Sequence, residues 1–373
     1  MKEIMLKPSV FTFDTAKEFA EEFGIGKGDL VISNEYIYMP FFGELNLECE
    51  VLYQEKYGMG EPTDQMVEAI YADIKSDPKR IIAIGGGTII DICKLFALKD
   101  VSPVDDLYDG KIPPVKDKEL VLVPTTCGTG SEVTNVAVLA LVERGTKKGL
   151  AVDQMYADTA VLVPELLGGL PFKVFATSSI DALIHAIESA LSPNGSPTTR
   201  MFSYKAIEMI VRGYMEIAKN GPDARKPLLK DFLVASNYAG IAFGNAGCAA
   251  VHAMSYPIGA TFHVAHGESN YAMFPGVMKN YLEIKTDGEI AVMCDFLAGI
   301  LGCDAANAFD ELCTLLDTAI LKRKPLSEYG MTEAQIAEFA DSVIENQQRL
   351  LKNNFVFLDR DRLMKIYSDL FSE

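Results

Sequence analysis

The stretch RIIAIGGGTIIDICK, residues 80–94, joins a short β-prone run to three glycines and then to an amphipathic segment. RIIAI (80–84) reads as a strand buried on both faces, since almost every side chain is apolar. Gly85, Gly86 and Gly87 let backbone amides approach an anion closely, and a helix starting near Thr88 turns its positive end toward the same place. A tight strand-to-helix turn with no ligand fits the same residues. The spacing is not G-x-G-x-x-G, so this turn alone decides nothing about a nucleotide.

Upstream, Asp14 or Thr15 with Glu18 opens a helix that ends at Gly24, and DLVIS (29–33) reads as a buried strand. A second strand lies near CEVLY (49–53). The helix TDQMVEAIYADIKSD (63–77) follows, with Met66, Ile70 and Ile74 on one face. Strand, helix, strand implies a parallel, doubly wound α/β sheet. Downstream, LVLV (120–123) runs into PTTCGTGSEVT (124–134), where Thr125, Thr126, Gly128 and Ser131 offer hydroxyls and close backbone to a ribose, a pyrophosphate or a carboxamide. Alone it is a polar loop. Two such loops at strand ends of one sheet favour a nucleotide, because ligands of these sheets bind at the carboxyl ends of strands.

Beyond about residue 177 the pattern is helical almost throughout, which divides the chain into an α/β dinucleotide-binding domain (1–177) and an all-helical domain (178–373). Pro197 starts a helix over about 198–219, and further helical periods cover roughly 224–243, 286–301, 304–320, 332–350 and 359–371. A length of 373 residues suits two domains. With 49% hydrophobic and 23% charged residues, the composition is that of a globular protein with ample surface to bury.

The net charge of -18 argues against nucleic acid, which demands a positive contact surface. Small-molecule partners remain allowed. The opening MKEIMLKPSVFTFD lacks the apolar core of a signal peptide, and no run of 18 apolar residues is uninterrupted, so the expected address is the cytoplasm with no membrane partner. Seven cysteines without a C-x2-C pair fit reduced thiols.

The chain has only four histidines, His185, His252, His263 and His266, all in the second half, and Asp181 precedes the first by four residues. Asp181 and His185 would project from one helix face, one turn apart, as two ligands gripping one ion must. One carboxylate and three imidazoles suit Fe(II) or Zn(II). Taken singly, Asp181 fits a helix N-terminal charge, and each histidine fits a satisfied core residue.

The order GGGT-x2-D-x2-K (85–94), PTT-x-G-TGSEVT (124–134), DAL-x-H (181–185) and H-x13-H ending in HG-x2-N (252–270) resembles the iron-containing (group III) alcohol dehydrogenase family. The likeness runs nearly end to end, with motifs of both halves in order. It implies the fold shared with dehydroquinate synthases, an active site between the two domains, and one divalent metal, usually Fe(II), on Asp181, His185, His252 and His266. It also implies NAD contacts from Asn34, Gly85, Gly86, Gly87 and Thr88. Thr125, Thr126, Gly128, Ser131, Val133 and Lys148 complete that set. The metal would act as a Lewis acid on an alcohol oxygen while the nicotinamide takes the hydride.

Within the family, FDTAKEF, QEKYG, ASNYAGIAFGNAG and HAMSYPIGATFHVAHGE resemble members that interconvert 4-hydroxybutyrate and succinate semialdehyde. A general primary alcohol dehydrogenase, a non-redox lyase on the same fold and a catalytically silent nucleotide binder are the other readings. The family usually forms homodimers or larger homo-oligomers.

Three positions depart from the family. Tyr256 stands where many relatives carry a histidine close to the nicotinamide, and is the candidate for its catalytic place. Asn34 stands where NAD-selective relatives place an aspartate that bonds the ribose 2'-OH and repels a 2'-phosphate; Glu35 adds local negative charge. Val163 replaces an aspartate, and nothing in the sequence explains it. His263, three residues before His266, is the candidate to replace the histidine missing at position 256 or to contact a substrate carboxylate, with a histidine on the surface or packed behind the ligands as the plain alternative.

Overall fold

Apolar runs that can be covered on both faces become the centre of a parallel sheet, and the computed structural model, which describes residues 3–372, has such a sheet in residues Leu6–Leu170. Its strands are β1 (Ser9–Thr12), β2 (Asp29–Ser33), β3 (Glu50–Tyr53), β4 (Arg80–Gly85), β5 (Glu119–Pro124), β6 (Val136–Leu141), β7 (Thr146–Ala151) and β8 (Thr159–Leu162). Six of them pair in parallel in the order β1-β8-β5-β4-β2-β3, and β6 and β7 form an antiparallel hairpin. Leu30, Ile32, Ile81, Ala83, Leu120 and Leu122 lie in one fully buried core.

The connecting helices are α1 (Ala16–Glu22), α2 (Glu35–Phe42), α3 (Asp64–Asp73), α4 (Gly87–Phe96) and α5 (Val104–Tyr108). Thr15 caps α1 in a reciprocal capping box with Glu18, satisfying two otherwise unpaired N–H groups. Helix α3 stops at Asp73 rather than at residue 77, because the Glu50 carboxylate accepts from the N–H groups of Lys75 and Ser76 at 2.9 Å each and draws the chain off the helix. The chain leaves β2 for β3 on one side and leaves β4 for β5 on the other. The connections therefore reverse between β2 and β4, and their carboxyl ends, Ser33 and Gly85, frame the crevice where such sheets bind nucleotides.

The second unit holds residues 3–5 with 171–372 and is helical: α6 (Phe172–Leu191), α7 (Pro197–Asn220), α8 (Leu229–Ala246), α9 (Ala250–Phe262), α10 (His266–Ile284), α11 (Glu289–Leu301), α12 (Ala308–Ala319), α13 (Ala334–Asn346), α14 (Gln348–Leu351) and α15 (Arg360–Ser372). The units part at Leu170, where the texture of the sequence suggests 177. Residues 222–228 form a tight 3-10 turn instead of the start of the expected 224–243 helix, since Pro227 has no N–H to donate to an α-helix.

Among the described residues, α6 alone would pass for a membrane span by length and apolarity, yet it is buried in its own unit against α7, α8 and α10. Its buried polar residues include Asp181, His185 and Glu188.

Candidate active site

Asp181, His185 and Glu188 recur at i, i+4 and i+7 along α6, so they share one face, and that face is buried. His252 comes from the first turn of α9 and His266 is the first residue of α10. The four ligands expected from the sequence converge: one ligand atom from each of Asp181, His185, His252 and His266 lies within 4.8 Å of all the others. Asp181 Oδ1 stands 4.0 Å from His185 Nε2, 3.6 Å from His252 Nε2 and 3.8 Å from His266 Nε2. Metal bonds of about 2.1 Å in a tetrahedron set ligand atoms about 3.4 Å apart, so a small inward movement closes this set on one ion.

The fit extends to the hydrogen bonds. His252 Nε2 is buried with no hydrogen-bond partner, while its Nδ1 lies 2.6 Å from Glu188 Oε2. A carboxylate only accepts, so Nδ1 carries a proton, and Nε2 is the nitrogen that faces the cluster and would take an ion once its own proton has left. Glu188, which belongs to no motif of the sequence, also accepts from the N–H groups of Ala249 at 3.0 Å and Val251 at 2.7 Å. It thereby ties the start of α9 to α6. His185 is held between rings, stacked on Phe243 at 4.1 Å and on His252 at 4.5 Å. Asn270, the last residue of HG-x2-N, donates to Asp181 Oδ1 at 2.7 Å.

Charge in the cluster follows from this crowding. Burial alone would raise the Asp181 carboxyl, but His185, His266 and His252 hold it far below the ordinary carboxylate range. Burial pushes His252 down, whereas Glu188 and Asp181 more than reverse that and carry its imidazole up to about 9. A divalent cation must displace that proton, and it finds a fixed anion waiting.

Gly267 sets the distance between α10 and α6. A Cβ there would lie 1.9 Å from the Thr177 carbonyl oxygen, a backbone atom of α6 one turn before Asp181. Gly267→Ala is therefore expected to push the start of α10, and His266 with it, away from Asp181. The expected cost is about 1–3 kcal/mol of stability together with bound metal. Thermal melting and metal analysis check this, and wild-type values for both would contradict the close-approach argument.

In the α/β unit the two glycine-rich loops touch. A Cβ on Gly85 would lie 2.5 Å from Ile89 Cδ1, and one on Gly87 would lie 2.9 Å from Thr129 Cγ2, while Gly86 faces Thr126. Gly86 begins α4 with no side-chain cap, so the first N–H groups of that helix suit a phosphate. Thr88 Oγ1 donates to the Gly60 carbonyl at 3.0 Å.

Thr125, Gly128 and Val133 are buried. The D-x2-K of the motif is a strut for this second loop. Lys94 is fully buried and donates to Ser131 Oγ at 2.5 Å, Thr134 Oγ1 at 3.1 Å and the Val136 carbonyl at 2.7 Å. Ser131 in turn donates to Asp91 at 2.6 Å, so its hydroxyl is engaged by protein partners.

The remaining expected residues are placed as follows. Tyr256 lies one turn beyond His252 with its ring 6.1 Å from that of His266. His263 is exposed, outside the four-residue cluster, in the left-handed conformation that ends α9. Lys148 pairs with Asp109 at 3.3 Å, whereas the neighbouring Lys147 pairs with Glu61, beside the Gly60 carbonyl that Thr88 bonds. Asn34 is buried at the end of β2, and its amide donates to Glu55 Oε2 at 2.9 Å. Val163 is wholly buried at the end of β8, and nothing in the structure explains its departure from aspartate.

Comparison with known proteins gives the family. The family profile described as iron-containing alcohol dehydrogenase matches residues 10–164, and that of the Fe-containing alcohol dehydrogenase family C-terminal domain matches residues 175–371. The chain is 54% identical over 372 residues to 4-hydroxybutyrate dehydrogenase of Clostridium kluyveri, covering 100% of both chains. It is 34% identical over 301 residues to long-chain-alcohol dehydrogenase 1 of Geobacillus thermodenitrificans, covering 78% of this chain and 75% of that protein. Among solved structures, sulfoacetaldehyde reductase from Bifidobacterium kashiwanohense in complex with NAD+ superposes with a TM-score of 0.86 at 25% identity, covering 100% of this chain and 99% of that one.

Proposed function

Because the chain belongs to the iron-containing alcohol dehydrogenase family, we propose that it interconverts 4-hydroxybutyrate and succinate semialdehyde, with NAD as hydride carrier and Fe(II) as metal. The observation that carries the substrate is the full-length likeness to the Clostridium kluyveri enzyme. A divalent ion supplies Lewis acidity toward the alcohol oxygen and the nicotinamide supplies the hydride acceptor.

The protein's own part is positioning. Asp181, His185, His252 and His266 are the ion's ligands in this reading, with Glu188 fixing the His252 tautomer and Asn270 holding Asp181. Gly85, Gly86, Gly87 and Thr88 take the phosphates at the start of α4, and the loop from Thr125 through Thr126 and Gly128 to Val133, braced by Lys94 and Ser131, takes the nicotinamide half. Lys148 keeps its assignment to the cofactor, at the cost of its pair with Asp109. Tyr256 replaces the histidine that many relatives carry and is assigned the contact with nicotinamide or the proton path. A homo-oligomer belongs to the same reading, supported by the edge strand β1 with its exposed Val10 and Phe11. So does a cytoplasmic address, which suits cysteines that form no disulfide among the described residues.

The substrate's carboxylate needs a donor some three carbons from the hydroxyl, and His263 is assigned that contact. His263→Ala is expected to raise KM for 4-hydroxybutyrate far more than for 1-butanol, which has no carboxylate to lose, and to leave bound metal unchanged. The same steady-state panel tests the substrate: a wild-type kcat/KM for 1-butanol equal to or above that for 4-hydroxybutyrate leaves a general alcohol dehydrogenase.

A further inference from the structure

The end of β2 carries Asn34, which has no charge with which to reject a 2'-phosphate, yet the fold brings a carboxylate to it from the next strand. In the parallel register Ser33 pairs with Tyr53, so the two chains leave the sheet side by side and Glu55 arrives beside Asn34 and Glu35. Both Glu55 oxygens are engaged there. Oε2 accepts from the Asn34 amide at 2.9 Å, and Oε1 accepts from the Glu35 N–H, the first of α2, at 2.7 Å.

Asn34 is the N-cap residue of α2 but makes no capping bond with its side chain, because that side chain is turned to Glu55 and, at 3.4 Å, to Gln54. The carboxylate is thus fixed at a helix N-terminus, where negative charge is stabilised, and its rotamer is set by two donors.

Asn34 adjoins Ser33, whose hydroxyl donates to the Ile84 carbonyl at 2.8 Å, next to Gly85 and the phosphate-binding turn. In dinucleotide folds the acidic group that bonds the ribose 2'-OH stands at the end of the strand beside that turn. Here Asn34 holds the strand end and Glu55 brings the charge.

We propose that Glu55, clamped by Asn34 and the Glu35 N–H, selects NAD over NADP by presenting a fixed carboxylate to the 2' position of the adenosine ribose. The inference rests on the NAD reading above. A 2'-phosphate would meet a like charge that cannot swing away without giving up two hydrogen bonds. A 2'-hydroxyl would meet an acceptor. Asn34 is then a positioning residue, and its replacement of the family's aspartate moves the charge by one strand without losing it.

The test titrates metal-free full-length protein with NADH and with NADPH, following nucleotide fluorescence, so that binding is read apart from catalysis. Wild type is expected to bind NADH more tightly. Glu55→Gln keeps size and one acceptor oxygen, enough for the Glu35 N–H, but removes the charge, and is expected to lower the ratio of the NADPH to the NADH dissociation constant by about tenfold or more, chiefly by tightening NADPH. Glu35→Gln, which removes an exposed carboxylate on the neighbouring residue, is expected to leave the ratio within about twofold. A Glu55→Gln protein that loses affinity for both nucleotides equally would show Glu55 to be a helix cap alone, and an unchanged ratio, or a change confined to Glu35→Gln, would also overturn the proposal. Wild type that binds neither nucleotide, or prefers NADPH, would overturn the NAD reading itself, an outcome visible before any variant is compared.

Discussion

Replacing His252 or His266 with alanine is expected to abolish both bound metal and turnover while leaving NADH binding close to wild type. Each change removes one of four side chains whose ligand atoms lie within 4.8 Å of one another, and the three that remain hold an ion with much lower affinity. The nucleotide loops, residues 85–88 and 124–134, belong to the other compact unit, so their binding is expected to survive.

The two variants differ in a way that separates ligation from folding. His252 is the partner of the buried Glu188 carboxylate, and its loss leaves that charge with only the Ala249 and Val251 N–H groups, an expected destabilisation of about 1–3 kcal/mol. His266 is about a third exposed, and the buried Asp181 carboxylate it approaches keeps His185, His252 and Asn270 as partners when His266 is gone. Its alanine variant is expected to lose metal with little change in melting temperature. Metal per chain, NADH titration, melting and kcat together check this, and either variant keeping full metal and activity would mean the ligand set is wrong.

The site is legible where sequence spacing maps directly onto one helix. Asp181 and His185 lie four apart, and four apart on a helix is one face, so spacing alone identifies the pair. Their meeting with His252 and His266 depends on how α9 and α10 pack against α6, which spacing does not fix. Those helices carry Pro257, Gly259, Gly267, Pro275 and Gly276, residues that lower helix propensity, and burial of their apolar faces overrides it.

Strands β2, β4 and β5 are legible because they are buried on both faces and so are continuously apolar. Strand β1 is not: all four of its residues are exposed, and only its pairing with β8 makes it a strand. The hairpin of β6 and β7 carries no clear signal either, since TKKGLA reads as a polar loop until β6 pairs with it. Glu55 and Glu188 stay hidden in the sequence for a common reason. Each acts across a tertiary contact, on a neighbour that only the sheet register or the helix packing supplies.

Glu188→Gln is expected to weaken metal binding by about 10- to 100-fold and to flatten its pH dependence, with kcat partly recovered at saturating metal. Glu188 sits seven residues after Asp181 on the buried face of α6, and its contact with His252 Nδ1 at 2.6 Å fixes both the ring's orientation and which nitrogen faces the ion. Glutamine preserves the volume and can still accept from a backbone N–H of α9, so the fold is expected to persist.

The charge is what changes. In the metal-free protein, burial lowers the His252 imidazole while Glu188 and Asp181 raise it, and the balance stands at about 9. Below that pH the ring is protonated and the cation must expel the proton, so wild-type affinity is expected to rise with pH from 7 toward 9 and then level. Without the Glu188 charge, burial weighs more heavily, the ring loses its proton at lower pH, and the slope between pH 7 and 9 should shrink. Metal titrations across that range, in buffers of different ionisation enthalpy to count released protons, separate this from a purely structural loss, which would lower affinity equally at every pH. Wild-type affinity with a wild-type pH slope in Glu188→Gln would show that the carboxylate neither orients His252 nor sets its charge.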